Sequence, residues 1–157
     1  MAKLQTTCFS FVLLVLGAGS APAVELSRPE MAQAAVKKMA IETVECAAYF
    51  DIVSLALLHS NEGDTAQEYL KAREKAVDRA ESLSQGIVSA NYDVMIRDMK
   101  NRIVLSNTAK QIDQSLSNVS ITDISVLGDQ YAKLCKEVLS DPGARAKYWM
   151  GRVGTSQ

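Results

Sequence analysis

The side chains able to do chemistry are few: Cys46, Cys135, His59 and a scatter of acids. Three cysteines occur, and Cys8 falls inside a stretch that reads as an export signal, which leaves Cys46 and Cys135. An even number of cysteines in an exported chain reads as a disulfide. Closing a loop of about 90 residues stabilises a fold by roughly 4–5 kcal/mol in the chain-entropy model. The alternative is a pair of buried free thiols behaving as small hydrophobes. A redox-active dithiol fits poorly, because catalytic pairs lie close in sequence, as in C-x-x-C.

His59 is the single histidine. It falls at the end of an apolar helical run, where a cation complements the helix dipole. A zinc site has no second histidine to complete it. Bundle enzymes with two metal ions need paired Glu-x-x-His elements, and covalent haem needs C-x-x-C-H; neither occurs. Haem held by His59 and a methionine is disfavoured by the helix-end position. No G-x-S-x-G and no glycine-rich phosphate loop are present, so serine hydrolysis and nucleotide chemistry are poorly served. The expectation is therefore no catalytic residue, no metal ligand and no cofactor. Acids are plentiful, and Asp51 stands out because it interrupts an apolar run; its register points it outward, solvated or paired with a surface Lys or Arg. Asn118-Val119-Ser120 matches the glycan acceptor pattern, which has meaning only in a eukaryotic secretory pathway.

The candidate interaction surface is Arg145, Lys147, Tyr148, Trp149 and Arg152. Aromatics interleaved with arginine are typical of interface hot spots. The plainer reading has the aromatics closing one end of the fold while the charges stay wet.

The elements that position these residues follow from composition. Of 157 residues, 48% are hydrophobic and 22% charged, with only three prolines and eight glycines, so one domain of long helices is expected. The formal net charge of −1 argues against nucleic acid and against a polybasic membrane-surface role. Residues 1–23 read as a cleaved export signal, with Lys3, an apolar core near residues 9–16, and Ala21-Pro22-Ala23 before a cut at Val24. The apolar stretch is too short to span a bilayer comfortably, although an uncleaved anchor is the alternative. Without the signal, 16 basic residues face 18 acids, a net of −2. No later segment is apolar and long enough to cross a membrane, so a periplasmic or secreted protein is expected.

The chain is organised around residues 29–59. Pro29-Glu30 starts a helix, and Val36, Met39, Thr43, Cys46, Phe50, Val53 and Leu57 form a seam of the bundle kind. Ile41, Ala48 and Leu55 line a second stripe, either covered by a neighbour or offered to a partner. A turn at residues 59–64, with Asp64 or Thr65 as cap, leads to a second helix ending near Gln85, charged on one face. Gly86 weakens the chain before a third helix over 90–116, whose stripe is Tyr92, Met95, Ile96, Met99, Ile103, Ala109, Ile112 and Leu116; a turn there is preferred to a kinked continuous helix, since one rod from Thr65 to Leu116 would exceed about 75 Å and could not pack on the first helix. Ser120 with Asp123 resembles a capping box before a fourth helix over 121–139. Asp141-Pro142 ends it and opens a short helical turn over 144–150; residues 151–157 form a flexible tail. The expected fold is all-α: an antiparallel four-helix up-down bundle over 24–150 with a short C-terminal helical turn. The Cys46–Cys135 bond would staple its first helix to its fourth.

Glu45-Cys46-Ala47-Ala48-Tyr49-Phe50, with Cys135, Asp141-Pro142, Arg145 and Tyr148-Trp149, resemble elements of small exported helical proteins of Gram-negative bacteria, a group with no known activity. The resemblance implies a periplasmic setting and no catalysis. Size and helical content are also similar to secreted plant inhibitors of invertase and pectin methylesterase, but their two-disulfide pattern is missing and their function is not carried over. The sequence thus favours an exported, non-enzymatic bundle acting through contacts with a protein partner in the cell envelope. The alternative is a small-ligand carrier or sensor, with small seam residues such as Ala40, Ala47, Ala76 and Ala80 leaving room between helices.

Overall fold

Ser27 begins the longest helix. Its backbone N–H and its hydroxyl both donate to the Glu30 carboxylate, at 2.8 and 2.7 Å, which fixes the first turn and holds the Glu30 carboxyl below its usual range. The computed structural model describes residues 27–107, 112, 116, 117 and 119–153. Five helices occur in it: α1 (Arg28–His59), α2 (Gly63–Leu83), α3 (Ile87–Ser106), α4 (Ser125–Ser140) and α5 (Pro142–Val153), with no strand among the described residues.

Helix α1 is the hub, in contact with each of the other four. Five successive residues, Cys46, Ala47, Ala48, Tyr49 and Phe50, are all buried. At about 100° per residue they sweep more than a full turn, so α1 is enclosed on every side there. Alanines on that stretch let neighbours approach closely. The seam is buried from Met39 to Leu57, while Val36 stays exposed. The second stripe is covered: Ala48 is fully buried, Leu55 packs on the main core, and Ile41 packs on a smaller one made by Ala40, Val44, Ala80 and Ile87.

The connections follow local chemistry. Asn61 adopts φ +59°, and the Glu62 N–H reaches back to the Leu57 carbonyl at 2.9 Å, an αL closure of the Schellman kind that ends α1 without a glycine. Helix α2 consequently starts at Gly63, ahead of the expected Asp64 or Thr65 cap, and ends at Leu83 rather than near Gln85. Gly86 has φ +76°, the break expected from sequence. Helix α3 begins three residues earlier than expected because the Glu81 carboxylate accepts from the Gly86 and Val88 amides at 2.7 and 3.0 Å, satisfying first-turn donors. It also stops ten residues short of the expected end. The Asn107 side-chain amide donates to the Ile103 carbonyl at 2.9 Å and to the Asp123 carbonyl at 2.8 Å, tying the helix end to the approach to α4. Ile112 and Leu116 of the expected stripe are buried beyond the helix; Ala109 lies outside the described residues.

The Asp123 carboxylate accepts from the Ser120 N–H and hydroxyl at 2.9 and 2.7 Å, but these bonds close a turn, and α4 proper begins only at Ser125. Asp141 caps α5 by accepting the Ala144 N–H at 2.9 Å, with Pro142 at the first helical position. Helix α5 is longer than the expected short turn, and its last residues, Gly151 to Val153, occupy the start of the expected tail. The expected signal over 1–23, the remaining tail and Asn118 lie outside the described residues. Cys46 and Cys135 are bonded, with Cα atoms 5.3 Å apart, joining α1 to α4 as expected. No helix among the described residues is long and apolar enough to cross a membrane.

Candidate functional site: the α5 latch and the α2–α4 groove

The expected contact surface divides in two. Arg145 and Trp149, one turn apart on α5, both turn inward onto Glu42 of α1. Arg145 Nε donates to Glu42 Oε2 at 2.7 Å, Arg145 Nη2 donates to Glu42 Oε1, and Trp149 Nε1 donates to Glu42 Oε2 at 2.8 Å. The side chains of Arg145 and Glu42 are only 16% and 10% exposed. The bond from Glu42 holds the guanidinium even further above neutrality than arginine usually lies. These residues therefore latch α5 onto α1. Tyr148 lies outside the latch with Arg145 and Arg152 over its ring, at 4.2 and 5.3 Å from the centroid. Lys147, Tyr148 and Arg152 remain exposed, so three of the five residues face solvent.

Glu42 is the residue that sequence reasoning missed. It sits four positions before Cys46, on the face that carries the disulfide, flanked by Ile41 and Thr43. An acid on a cysteine's own helix face is the signal that would have pointed to it. Glu45, one position before Cys46, is half-buried; desolvation, then the negative charge of Glu42, raises its carboxyl above the ordinary value, with Arg102 opposing.

Asp51 is paired, as its outward register suggested: Arg73 Nε lies 3.3 Å from Asp51 Oδ1 and donates to the Tyr92 hydroxyl at 3.0 Å, linking α1, α2 and α3. His59 is exposed in the last turn of α1. Among the described residues no three His, Cys, Asp or Glu side chains gather as a metal-ion site.

A groove of about 700 Å³ runs between α2 and α4. Its floor is Tyr49 and Phe50 of α1, with Cys135 beside them; Tyr69 and Ala72 form one wall, Ala132 and Leu139 the other. Phe50 meets Tyr69 edge-on at 5.9 Å and Tyr49 at 5.6 Å, and Tyr49 stacks on Tyr131 at 5.9 Å, so the floor is a continuous aromatic cluster. Burial raises the Tyr49 phenol, which stays neutral at physiological pH. Below the groove's end, Arg79 Nη1 donates to the Val138 and Leu139 carbonyls at 3.0 and 2.9 Å, pinning the C-terminal end of α4 to α2. The volume falls within the roughly 300–1,000 Å³ of small-molecule pockets. The residues can shelter an apolar body. Comparison of the chain with protein-family models, with curated proteins and with solved structures returns no match.

Proposed function

We propose that this is an exported, non-enzymatic helical binding protein of the periplasm or cell exterior, and that it holds a small ligand in the α2–α4 groove. The observation that carries the reading is the groove itself: an aromatic floor, apolar walls and a volume of about 700 Å³. The inward-facing Arg145 and Trp149 move weight away from α5 as the main working surface. The reading takes α1 to α4 as an antiparallel up-down bundle. The pairings of Cys46 with Cys135 and of Tyr49 with Tyr131 support it for α1 and α4, since the partner on α4 recedes as α1 advances. Export is supported by the leader-like first 23 residues and by the bonded cysteines.

A thermal-shift screen of envelope lipids and small metabolites tests the function, since a ligand bound only by the folded chain raises the melting temperature. The expected result is at least one hit whose effect is lost when Ala132→Trp fills the groove; a hit insensitive to that change defeats the reading. Cell fractionation tests the location, with the mature chain expected outside the cytoplasm and starting at Val24.

A second reading, contact with a protein partner, is favoured by one observation: Tyr148 and Met150 on α5 are 41% and 39% exposed. It expects a captured partner to be lost with Tyr148→Ser and retained with Ala132→Trp.

A further inference from the structure

We infer that the groove takes a carboxylate-headed amphiphile, one unbranched apolar chain ending in a single negative charge. This rests on the groove being a ligand site and specifies its chemistry. The whole chain has a formal net charge of −1, yet the groove's lining carries Lys71, Lys75 and Lys136 against one acid, Glu68. All three lysines are exposed, and none is in an ion pair among the described residues. Lys71 and Lys75 stand one turn apart on α2, where like charges repel. Lys136 faces them from α4 across the opening. An anion held among the three ammonium groups relieves that repulsion, and its apolar chain covers Phe50, Tyr69, Ala72 and Leu139.

The type of cation matters. No arginine lines the groove, so nothing offers the planar fork that suits bidentate phosphate recognition; three mobile point charges suit one small anionic head. Apart from the Tyr49 and Tyr69 phenols, the floor and walls between the charged residues are apolar, with Phe50, Ala72, Ala132 and Leu139 along the path of the ligand's body. Selectivity is left to apolar contact below and charge at the rim. The lining follows about two turns of α2, ~10 Å, the reach of a medium-length chain.

The test is calorimetric titration of the oxidised, exported protein with decanoate and with decan-1-ol, each below its aggregation concentration. Decanoate is expected to bind about tenfold more tightly than the alcohol at low salt, and to lose that advantage at 0.5 M salt. The double variant Lys75→Gln/Lys136→Gln is expected to weaken decanoate about tenfold and leave the alcohol unchanged. Lys147→Gln, on α5 outside the groove, is expected to alter neither. Ala132→Trp, or Ala72→Phe should the first variant lose helicity, is expected to abolish both. Equal affinity for acid and alcohol, or indifference to the lysine variants, overturns the anion assignment and leaves the groove as an apolar site. Failure of both probes to bind, or binding that survives both filled-groove variants, overturns the groove reading itself.

Discussion

Glu42 with Arg145 and Trp149, and Asp51 with Arg73 and Tyr92, are built from the same parts: a carboxylate on α1, a guanidinium from another helix, and an aromatic side chain with a polar hydrogen. They differ in solvent. The Glu42 and Arg145 side chains are 10% and 16% exposed, against 38% and 35% for Asp51 and Arg73. In the first cluster each carboxylate oxygen receives at least one charge-assisted or indole bond, and water has little part. In the second, Arg73 divides its Nε between Asp51 and Tyr92, and water can replace either partner. Similar inventories therefore imply different dependence on the partner: removing one member leaves a stranded charge in the first case and a rehydrated one in the second.

The largest effect concerns the bond that lies between the two clusters along α1. Cys135→Ser is expected to lower stability by roughly 4–5 kcal/mol, read as a fall in the urea midpoint. In that background either cluster carries a larger share of what remains. Next, Arg145→Met is expected to cost about 3 kcal/mol, because the Glu42 carboxylate stays buried without its cation. Adding Glu42→Gln should recover at least half of the loss in a double-mutant cycle. A loss under about 1 kcal/mol from Arg145→Met alone would erase the contrast with the exposed cluster. Arg73→Met is expected to cost about 1 kcal/mol or less, and 0.5 M salt should shrink that figure while leaving the Arg145 effect in place.

The smallest effect is a matter of pH. The Glu45 carboxyl is raised above 4.5, chiefly by desolvation and then by Glu42. A raised carboxylate binds more protons folded than unfolded, so its contribution to stability falls as pH rises from about 4.5 through its folded value. Glu45→Gln should match the parent below pH 4 and exceed it at pH 7, as compared by urea midpoints. Equal midpoints at both pH values would show that Glu45 is paid no penalty by its surroundings.

Much of the helix plan was legible because it is written in local chemistry. Pro29 with Glu30, the left-handed Gly86, and Asp141-Pro142 act on residues within a few positions of themselves, and each marks a boundary of the structure. The cysteine pairing was legible for a different reason, since only two candidates remained once residues 1–23 were read as a leader. The ends of α3 were misjudged because they depend on distant groups: Glu81 caps its start and Asn107 ties its end to Asp123. The α5 cluster was recognisable by residue type, but its direction was not. Arg145 is turned by Glu42, 103 positions earlier, and no periodicity reports that pairing. Room between helices was expected at Ala40, Ala47, Ala76 and Ala80, but the groove is lined by none of them, being a space between α2 and α4 rather than a property of either.

One end of α2 carries an unusual concentration of duties. Arg79 supplies a cation to the closing carbonyls of α4, and two positions later Glu81 supplies an anion to the opening amides of α3. Each charge has the sign its helix end favours. If the final turn of α2 unwinds, both neighbours lose their terminal partners in the same event. Hydrogen exchange should therefore show the Gly86 and Val88 amides and the Asp141 amide opening together, as one cooperative unit that joins the end of α4 to chain 60 positions earlier.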